Sequence, residues 1–260
     1  MSEDPLWPHL KELPYFRAIL RAVEAQIMQQ TQLPQPILDL GSGDGHFAAV
    51  AFDQLIDVGI DPALETTREA QDRRSYRALV VAHGARIPYP DGSFGSAFSN
   101  SVLEHVDDLE GVLCEVARVL KPGAPFAITV PNTRYEQDLS VSALLSKLRL
   151  GGLGTKYQEW FMRMSRTWNL FDEEWWSRVL EETGFQVQQS FRYFSIRALH
   201  ALEWGHYFGA PCLLANWLTK RWILSPTRAN LFLTYALVKR YVEPFPIDDG
   251  TYSFYLALKR

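Results

Sequence analysis

Short apolar runs alternate along this chain with stretches of helical period, the pattern of an α/β protein. Residues 36–40 read as a buried parallel strand. Further strands are predicted at 55–62, 79–82, 95–100 and 124–130. A helix begins after Gly45 with Phe47, Ala48, Ala49 and Val50. Another covers 109–120, where Leu109, Leu113, Val116, Ala117 and Leu120 share a face, and Lys121-Pro122-Gly123 stops it. At the start of the chain the spacing predicts one helix over 8–30. Leu10, Leu13, Phe16, Leu20, Val23 and Ile27 form its apolar face, with Arg17, Arg21 and Glu24 elsewhere. Asp172 caps a helix that buries Val179 and Leu180 and stops at Gly184. Strands at 185–193 and 251–258 complete the set.

Two segments depart from strand–helix alternation. Residues 133–170 carry leucines, then Gly151, Gly152 and Gly154, then Tyr157, Trp160 and Phe161, and read as an inserted helical lid. Residues 194–249 read as a second helical cap in three pieces, divided near Pro211 and Pro226. This second insert is basic and aromatic, with Lys220, Arg221, Arg228, Lys239 and Arg240 among Trp204, Tyr207, Trp217, Trp222 and Phe232. It packs on the sheet as an ordinary cap, or forms an apolar acceptor tunnel with a basic rim that touches a membrane surface. The domain expectation is a single domain over 1–260 containing both inserts.

The chain has 260 residues, 47% hydrophobic and 22% charged, which suits a packed globular core. Its net charge of −4 provides no global basic field, so no nucleic-acid partner is expected. The opening Met-Ser-Glu-Asp-Pro has neither the basic nor the apolar part of a leader, and no apolar run is long enough to span a bilayer. Cys114 and Cys212 lie far apart and outside any C-x-x-C pair. A reduced, cytoplasmic setting without a metal site is therefore expected.

Chemistry concentrates at Gly41, Gly43 and Gly45, which follow the first strand and Asp39. Strand, glycine turn and helix bring backbone N–H groups close to a ligand. A dinucleotide fingerprint would need glycine at His46, and a P-loop would need a Lys-Ser/Thr pair; both are missing. A structural glycine turn in another α/β protein remains open on this stretch alone. Asp61 ends the second strand twenty positions after Gly41. There it can accept ribose hydroxyls or cap the next helix, with Pro62 suited to the first helical position.

The motif Asp39-Leu40-Gly41-Ser42-Gly43-Asp44-Gly45 resembles the first motif of class I S-adenosylmethionine-dependent methyltransferases. Three further stretches resemble the type 11 family among them: Ile87-Pro88-Tyr89-Pro90-Asp91-Gly92-Ser93-Phe94, Ser99-Asn100-Ser101-Val102-Leu103-Glu104-His105, and Glu115-Val116-Ala117-Arg118-Val119-Leu120-Lys121-Pro122-Gly123. The resemblance runs from Asp39 to Asn132. It implies a doubly wound, mostly parallel, seven-stranded Rossmann-like sheet whose last strand is antiparallel, with the helical cap inserts added. It implies S-adenosylmethionine as cofactor, held by Asp39, Gly41, Ser42, Gly43 and Gly45 at its amino-acid end. Asp61 and Pro62 are expected at the ribose, His83, Gly84 and Ala85 at the adenine, and Ser99 and Asn100 beside the transferring methyl. Tyr15, Arg17 or Arg21 would reach the cofactor carboxylate. His83 stands where the family usually has Asp, and Gly95 where it has a second Asp. His105 is the candidate general base, with His83, His200 and His206 as other imidazoles in reach of such a role. A histidine packed at a helix start is the structural alternative for His105. No Asn/Asp-Pro-Pro-aromatic segment occupies 99–102, which argues against base methylation of nucleic acid. The expected acceptor is a small apolar or lipid-like molecule methylated at oxygen or carbon. A nucleotide-sugar or glycan acceptor, or a non-catalytic cofactor-binding role, stays open. The oligomeric state is unknown.

Overall fold

A computed structural model describes residues 4–260. Residues 1–3, on which part of the reading of the opening rests, lie outside the described residues. The first segment is two helices rather than one, α1 (Trp7–Leu10) and α2 (Tyr15–Gln30). Pro14 between them has ψ 144°, outside the helical well. Its ring removes an N–H donor and disfavours helical backbone at Leu13. Apolar spacing alone conceals this break, because Leu10 and Leu13 are buried on both sides of it.

The chain continues as β1 (Ile37–Leu40), α3 (His46–Ala51), β2 (Ile56–Asp61), α4 (Leu64–Arg73), β3 (Tyr76–Val81) and β4 (Ser96–Asn100). A 3-10 turn at Leu103–His105 leads to α5 (Leu109–Val119) and β5 (Pro125–Pro131). The first insert holds α6 (Thr133–Gln137), α7 (Ser140–Lys147) and α8 (Gly151–Ser165), followed by α9 (Glu173–Glu182) and β6 (Phe185–Tyr193). The second insert holds α10 (Ile196–Phe208), α11 (Ala210–Thr219), α12 (Arg228–Val238) and a 3-10 turn at Lys239–Tyr241, and β7 (Tyr252–Lys259) closes the chain. β3 begins three residues earlier than its apolar run, at Tyr76, because the Arg77 between Tyr76 and Ala78 breaks the hydrophobic pattern without breaking the strand.

The sheet order is β3-β2-β1-β4-β5-β7-β6. β1 to β5 pair in parallel, and β7 runs antiparallel between β5 and β6. Winding reverses between β1 and β4. A crevice therefore opens beyond the carboxyl ends of these two strands, where ligands of such sheets bind. Alternation along β1 serves both faces: Ile37 enters the core beneath α2 and α10, while Leu38 and Leu40 enter the core beneath α5 and α9.

The inserts meet each other above the crevice. The Trp160 ring of α8 stacks on Tyr207 of α10 with centroids 6.2 Å apart. The Trp204 indole N–H donates to Ser140 Oγ at 3.0 Å. No helix among the described residues is long and apolar enough to cross a membrane.

Candidate functional site

A cavity of about 740 Å³ lies over the turn between β1 and α3, and Asp39, Gly41, Ser42, Gly43, Asp61 and Asn100 all line it. The turn is possible because Gly41 (φ 87°) and Gly43 (φ 52°) take left-handed backbone. A Cβ on Gly41 would collide with Val102, whereas a Cβ on Gly43 would point into open space. The loop is thus pressed against the next motif on one side and clear on the other. Behind it, Arg73 of α4 donates Nε–H to the Asp44 carbonyl at 2.8 Å and Nη1–H to Glu12 Oε2 at 2.8 Å. His46 also faces Glu12 Oε2, through Nδ1 at 3.2 Å, and its Nε2 lies 2.9 Å from His9 Nδ1. The hydrogen bond from His46, with help from Arg73, holds the Glu12 carboxyl down at about 2.

Asp39 is buried at the root of this cavity and accepts a 2.6 Å hydrogen bond from the Tyr76 hydroxyl of β3. Burial pushes its carboxyl up to about 7. The Tyr76 bond opposes that rise and the nearby Asp61 adds to it. A cation beside Asp39 would reverse the shift by stabilising the carboxylate. Tyr76 had no signal as a site residue in the sequence, since it sits thirty-seven positions from Asp39.

Asp61 makes the turn into α4. Its Oδ1 accepts from Ala63 N at 2.8 Å and Thr66 Oγ1 at 3.1 Å, and its Oδ2 accepts from Gly43 N at 3.0 Å. One carboxylate therefore joins the glycine loop to the tip of β2. Pro62 is exposed beside it. His83, Gly84 and Ala85 follow at the next strand tip, where Ala82 N donates to the Asp61 carbonyl at 3.2 Å. The His83 Nδ1 accepts from Ala85 N at 3.2 Å, closing a small turn. Gly84 packs against Leu40 and Val112. These three residues and Pro62 border the sheet edge next to Asp61 and do not line the large cavity. Ser99 is fully buried, and its hydroxyl donates to the Leu40 carbonyl at 3.1 Å across β1 and β4. It braces the crevice from beneath. The Gly95 departure has a packing reason: a Cβ there would come within 2.5 Å of the Gln35 carbonyl oxygen.

The end of β4 is held by α2, through a residue that lies off the apolar face of that helix. Glu24 of α2 is fully buried and accepts from Arg21 Nη1 (2.6 Å), Asn100 Nδ2 (2.9 Å) and Ser101 Oγ (2.5 Å). Thr129 donates to Asn100 Oδ1 at 2.9 Å, which fixes the amide orientation. Ser101 has a left-handed φ of 50° and would be costly without these bonds. Arg21 also lies over the Phe47 ring at 5.8 Å, and Arg17 lies over Trp222 at 5.7 Å. Both guanidinium groups line the cavity. Tyr15 packs against the core of the same helix layer and does not line it.

A second cavity of about 180 Å³ adjoins the first and shares Arg17, Arg21, Ser101 and His105 with it. Phe16, Tyr135 and Tyr252 supply ring surface there, and Glu104 lines it. Glu104 is 3% exposed, and its Oε2 has no hydrogen-bond partner among the described residues. Burial, with Glu24 nearby, pushes its carboxyl up to about 8 against the pull of its own backbone N–H and Arg21. His105 Nδ1 donates to the Arg166 carbonyl at 2.7 Å, so its Nε2 carries the free lone pair. Burial lowers its pKa against the pull of the bond to the Arg166 carbonyl, with the Arg21 and Arg166 charges acting in the same direction as burial. His206 lines the smaller cavity, while His200 bonds the Asp138 carbonyl at 2.9 Å away from both. Groups of His, Cys, Asp and Glu suited to a metal ion are absent among the described residues.

Residues 38–128 match a family model described as a methyltransferase domain. Sterol methyltransferase-like 3 of Botryococcus braunii is 30% identical over 168 residues, covering 60% of this chain and 39% of that protein. A probable S-adenosylmethionine-dependent methyltransferase of Mycolicibacterium smegmatis is 28% identical over 135 residues, 51% of this chain and 48% of that protein. The matched parts thus span less than half the length of these relatives. The crystal structure of an S-adenosylmethionine-dependent methyltransferase from Thermotoga maritima superposes with a TM-score of 0.59 at 16% identity, covering 94% of this chain and 91% of that one. That likeness is one of fold: residues 38–128 carry a methyltransferase domain of the type 11 family, and the sheet around it is built like those of S-adenosylmethionine-dependent methyltransferases.

Proposed function

We propose that this chain transfers the methyl group of S-adenosylmethionine to a small apolar or lipid-like acceptor, at oxygen or carbon. The observation that carries the reading is the junction of two cavities at Ser101 and His105. One cavity opens on the glycine loop and its two carboxylates, the other on aromatic rings and the buried Glu104.

The donor set fits the cofactor. Asp39 would take its ammonium, Arg17 its carboxylate, and Asp61 its ribose hydroxyls, while the N–H groups of Gly41, Ser42, Gly43 and Gly45 donate to Ile60, Asp61 and Ser42 and hold the shape of the loop. The clear space above Gly43 supports close approach of a ligand to backbone. His83, Gly84 and Ala85 lie next to Asp61 and would border the adenine. When bound, S-adenosylmethionine supplies a methyl group on a positively charged sulfur, so the transfer is a direct displacement. The remaining work falls to the chain. Asn100 and Ser101, locked by Glu24, shape the passage between the cavities. Phe16, Tyr135 and Tyr252 exclude water from the acceptor. Such orientation supplies ~7–11 kcal/mol of a displacement barrier. His105 lines both cavities, and its Nε2, 3.9 Å from Glu104 Oε1, would receive the proton of a hydroxyl acceptor.

The aromatic lining of the smaller cavity supports an apolar acceptor, as does the sterol methyltransferase-like relative. The non-catalytic alternative drew on His83 and Gly95. Gly95 is accounted for by the Gln35 carbonyl, which leaves His83 as its remaining support. Thermal unfolding with S-adenosylhomocysteine tests the cofactor site, with NAD as control. Ligand at a hundred times its Kd stabilises by about 2.7 kcal/mol, a shift of several degrees. No shift at millimolar ligand overturns the reading.

A further inference from the structure

The second insert presents its apolar residues outward. On α11, Leu213, Leu214, Trp217 and Leu218 recur at one helical spacing and are all exposed, Trp217 at 74%. On α12, Phe232, Leu233 and Leu237 do the same, Phe232 at 70%, and on α10 Phe208 is 70% exposed beside Trp204. The inner faces are used differently. Leu231 and Val238 of α12 are buried in the core with α1 and α2, while Asn216 of α11 and Lys220 after it line the cofactor cavity. These rows are therefore not core positions left over at a loose edge. Singly exposed apolar side chains are ordinary, but rows repeated on three successive helices mark an interaction surface.

The first insert extends the surface. Leu144, Leu148, Leu150, Leu153 and Met164 are exposed on or beside α7 and α8, next to α10 through the Trp160–Tyr207 stack. Charge identifies the occupant. Residues 204–242 contain five basic residues and no acidic one, in a chain of net charge −4. Residues 139–171 contain Lys147, Arg149, Lys156, Arg163 and Arg166 against Glu159 alone. All ten basic side chains are exposed. A second copy of this chain would bring like charges together across such a face. An anionic bilayer accepts both features at once: apolar ridges enter the acyl boundary, tryptophans sit at the interface, and lysines and arginines meet lipid phosphates.

We propose that the outer faces of α10, α11 and α12, extended by α7 and α8, form a docking surface for an anionic lipid bilayer. The loop after α11 lines the cofactor cavity, so docking places the mouth of that cavity at the membrane. A lipid-phase molecule then reaches the site without crossing water. The surface itself is independent of the methyl-transfer reading.

The test is co-sedimentation of the full chain with phosphatidylcholine vesicles, with and without phosphatidylglycerol, over a range of salt. Two variants alter the apolar rows, Trp217→Ser with Leu218→Ser, and Phe232→Ser with Leu233→Ser. A third, Lys239→Glu with Arg240→Glu, alters charge. None of these residues lines the cofactor cavity. The unfolding temperature, with and without S-adenosylhomocysteine, shows that each variant is folded and separates failure here from failure of the cofactor site. The expected result is binding to anionic vesicles that weakens with salt and falls about tenfold or more in each variant. Absence of vesicle binding, or binding that all three variants retain, overturns the proposal. So does a concentration-dependent dimer that the apolar substitutions dissolve while vesicles are ignored.

Discussion

His105 donates its Nδ1–H to the carbonyl oxygen of Arg166, 2.7 Å away, and so ties the motif after β4 to the end of the first insert. The neighbouring Glu104 carbonyl accepts from Trp168 N at 2.9 Å and Asn169 N at 3.1 Å, making a double seam. The bond also decides which ring nitrogen is free. His105→Asn should lower kcat/KM for a hydroxyl acceptor about 10²–10⁴-fold while leaving S-adenosylhomocysteine affinity nearly unchanged. At saturating S-adenosylmethionine, where the Asp39 titration does not limit the rate, the wild-type pH profile should rise through a pKa below 6.5, because burial lowers this group. Persistence of that limb in the variant would remove His105 from proton transfer and leave it a structural tie.

Asp39 and Tyr76 give a prediction about cofactor binding. An ammonium group requires Asp39 ionised, and its carboxyl titrates at about 7 in the free protein. Affinity for S-adenosylhomocysteine should therefore fall as pH drops from 8 to 6. Tyr76→Phe removes the hydrogen bond that favours the carboxylate. It should move the midpoint of that fall to higher pH and weaken binding at neutral pH about tenfold. Isothermal titration at several pH values measures both effects. A variant curve superimposed on the wild type would rule out the role for Tyr76.

Tyr76 and Glu24 show where sequence reasoning stopped. The strand positions, their order along the chain and the motif spacing from Asp39 to Gly123 were legible, because buried strands and glycine turns leave local patterns. Glu24 was not. It sits off the apolar face of a helix, and periodicity assigns such a residue to solvent. Its partners Asn100 and Ser101 are seventy-six and seventy-seven positions away, so no local pattern reports them. The break at Pro14 was hidden for the opposite reason, since the apolar period happens to continue across it. Ser99 was expected beside the methyl group from its motif. The alternation of β4 instead turns it toward the Leu40 carbonyl.

Glu24→Ala should be among the most damaging single substitutions in the chain. It leaves Arg21 without its carboxylate and strips hydrogen bonds from Asn100 and from the left-handed Ser101. Breaking a buried ion pair from one side costs about 3–5 kcal/mol. Chemical denaturation should show a loss of that order, and Glu24→Gln should recover part of it by keeping two of the bonds.

Glu104 should be visible in the pH dependence of stability. Its folded carboxyl lies at about 8, above the ordinary value of 4.5. The native state therefore holds a proton that the unfolded chain releases. The contribution is complete below about pH 4.5 and is lost as pH rises through 8. Glu104→Gln cannot ionise, so its stability relative to wild type should be about 1–3 kcal/mol greater at pH 8 than at pH 5. Equal pH slopes for the two proteins would place the Glu104 carboxylate in a wetter setting than its 3% exposure indicates.

Helix α11 has a reach of ten residues, with Leu213, Leu214, Trp217 and Leu218 outside and Asn216 facing the cofactor cavity inside. A wall with ligands on both sides cannot favour one of them alone. If a bilayer on the outer face changes the affinity of S-adenosylhomocysteine by some factor, the nucleoside must change the affinity for the bilayer by that same factor. Cofactor occupancy and residence at the membrane would then be two readings of one coupling free energy, carried through the thickness of a single helix.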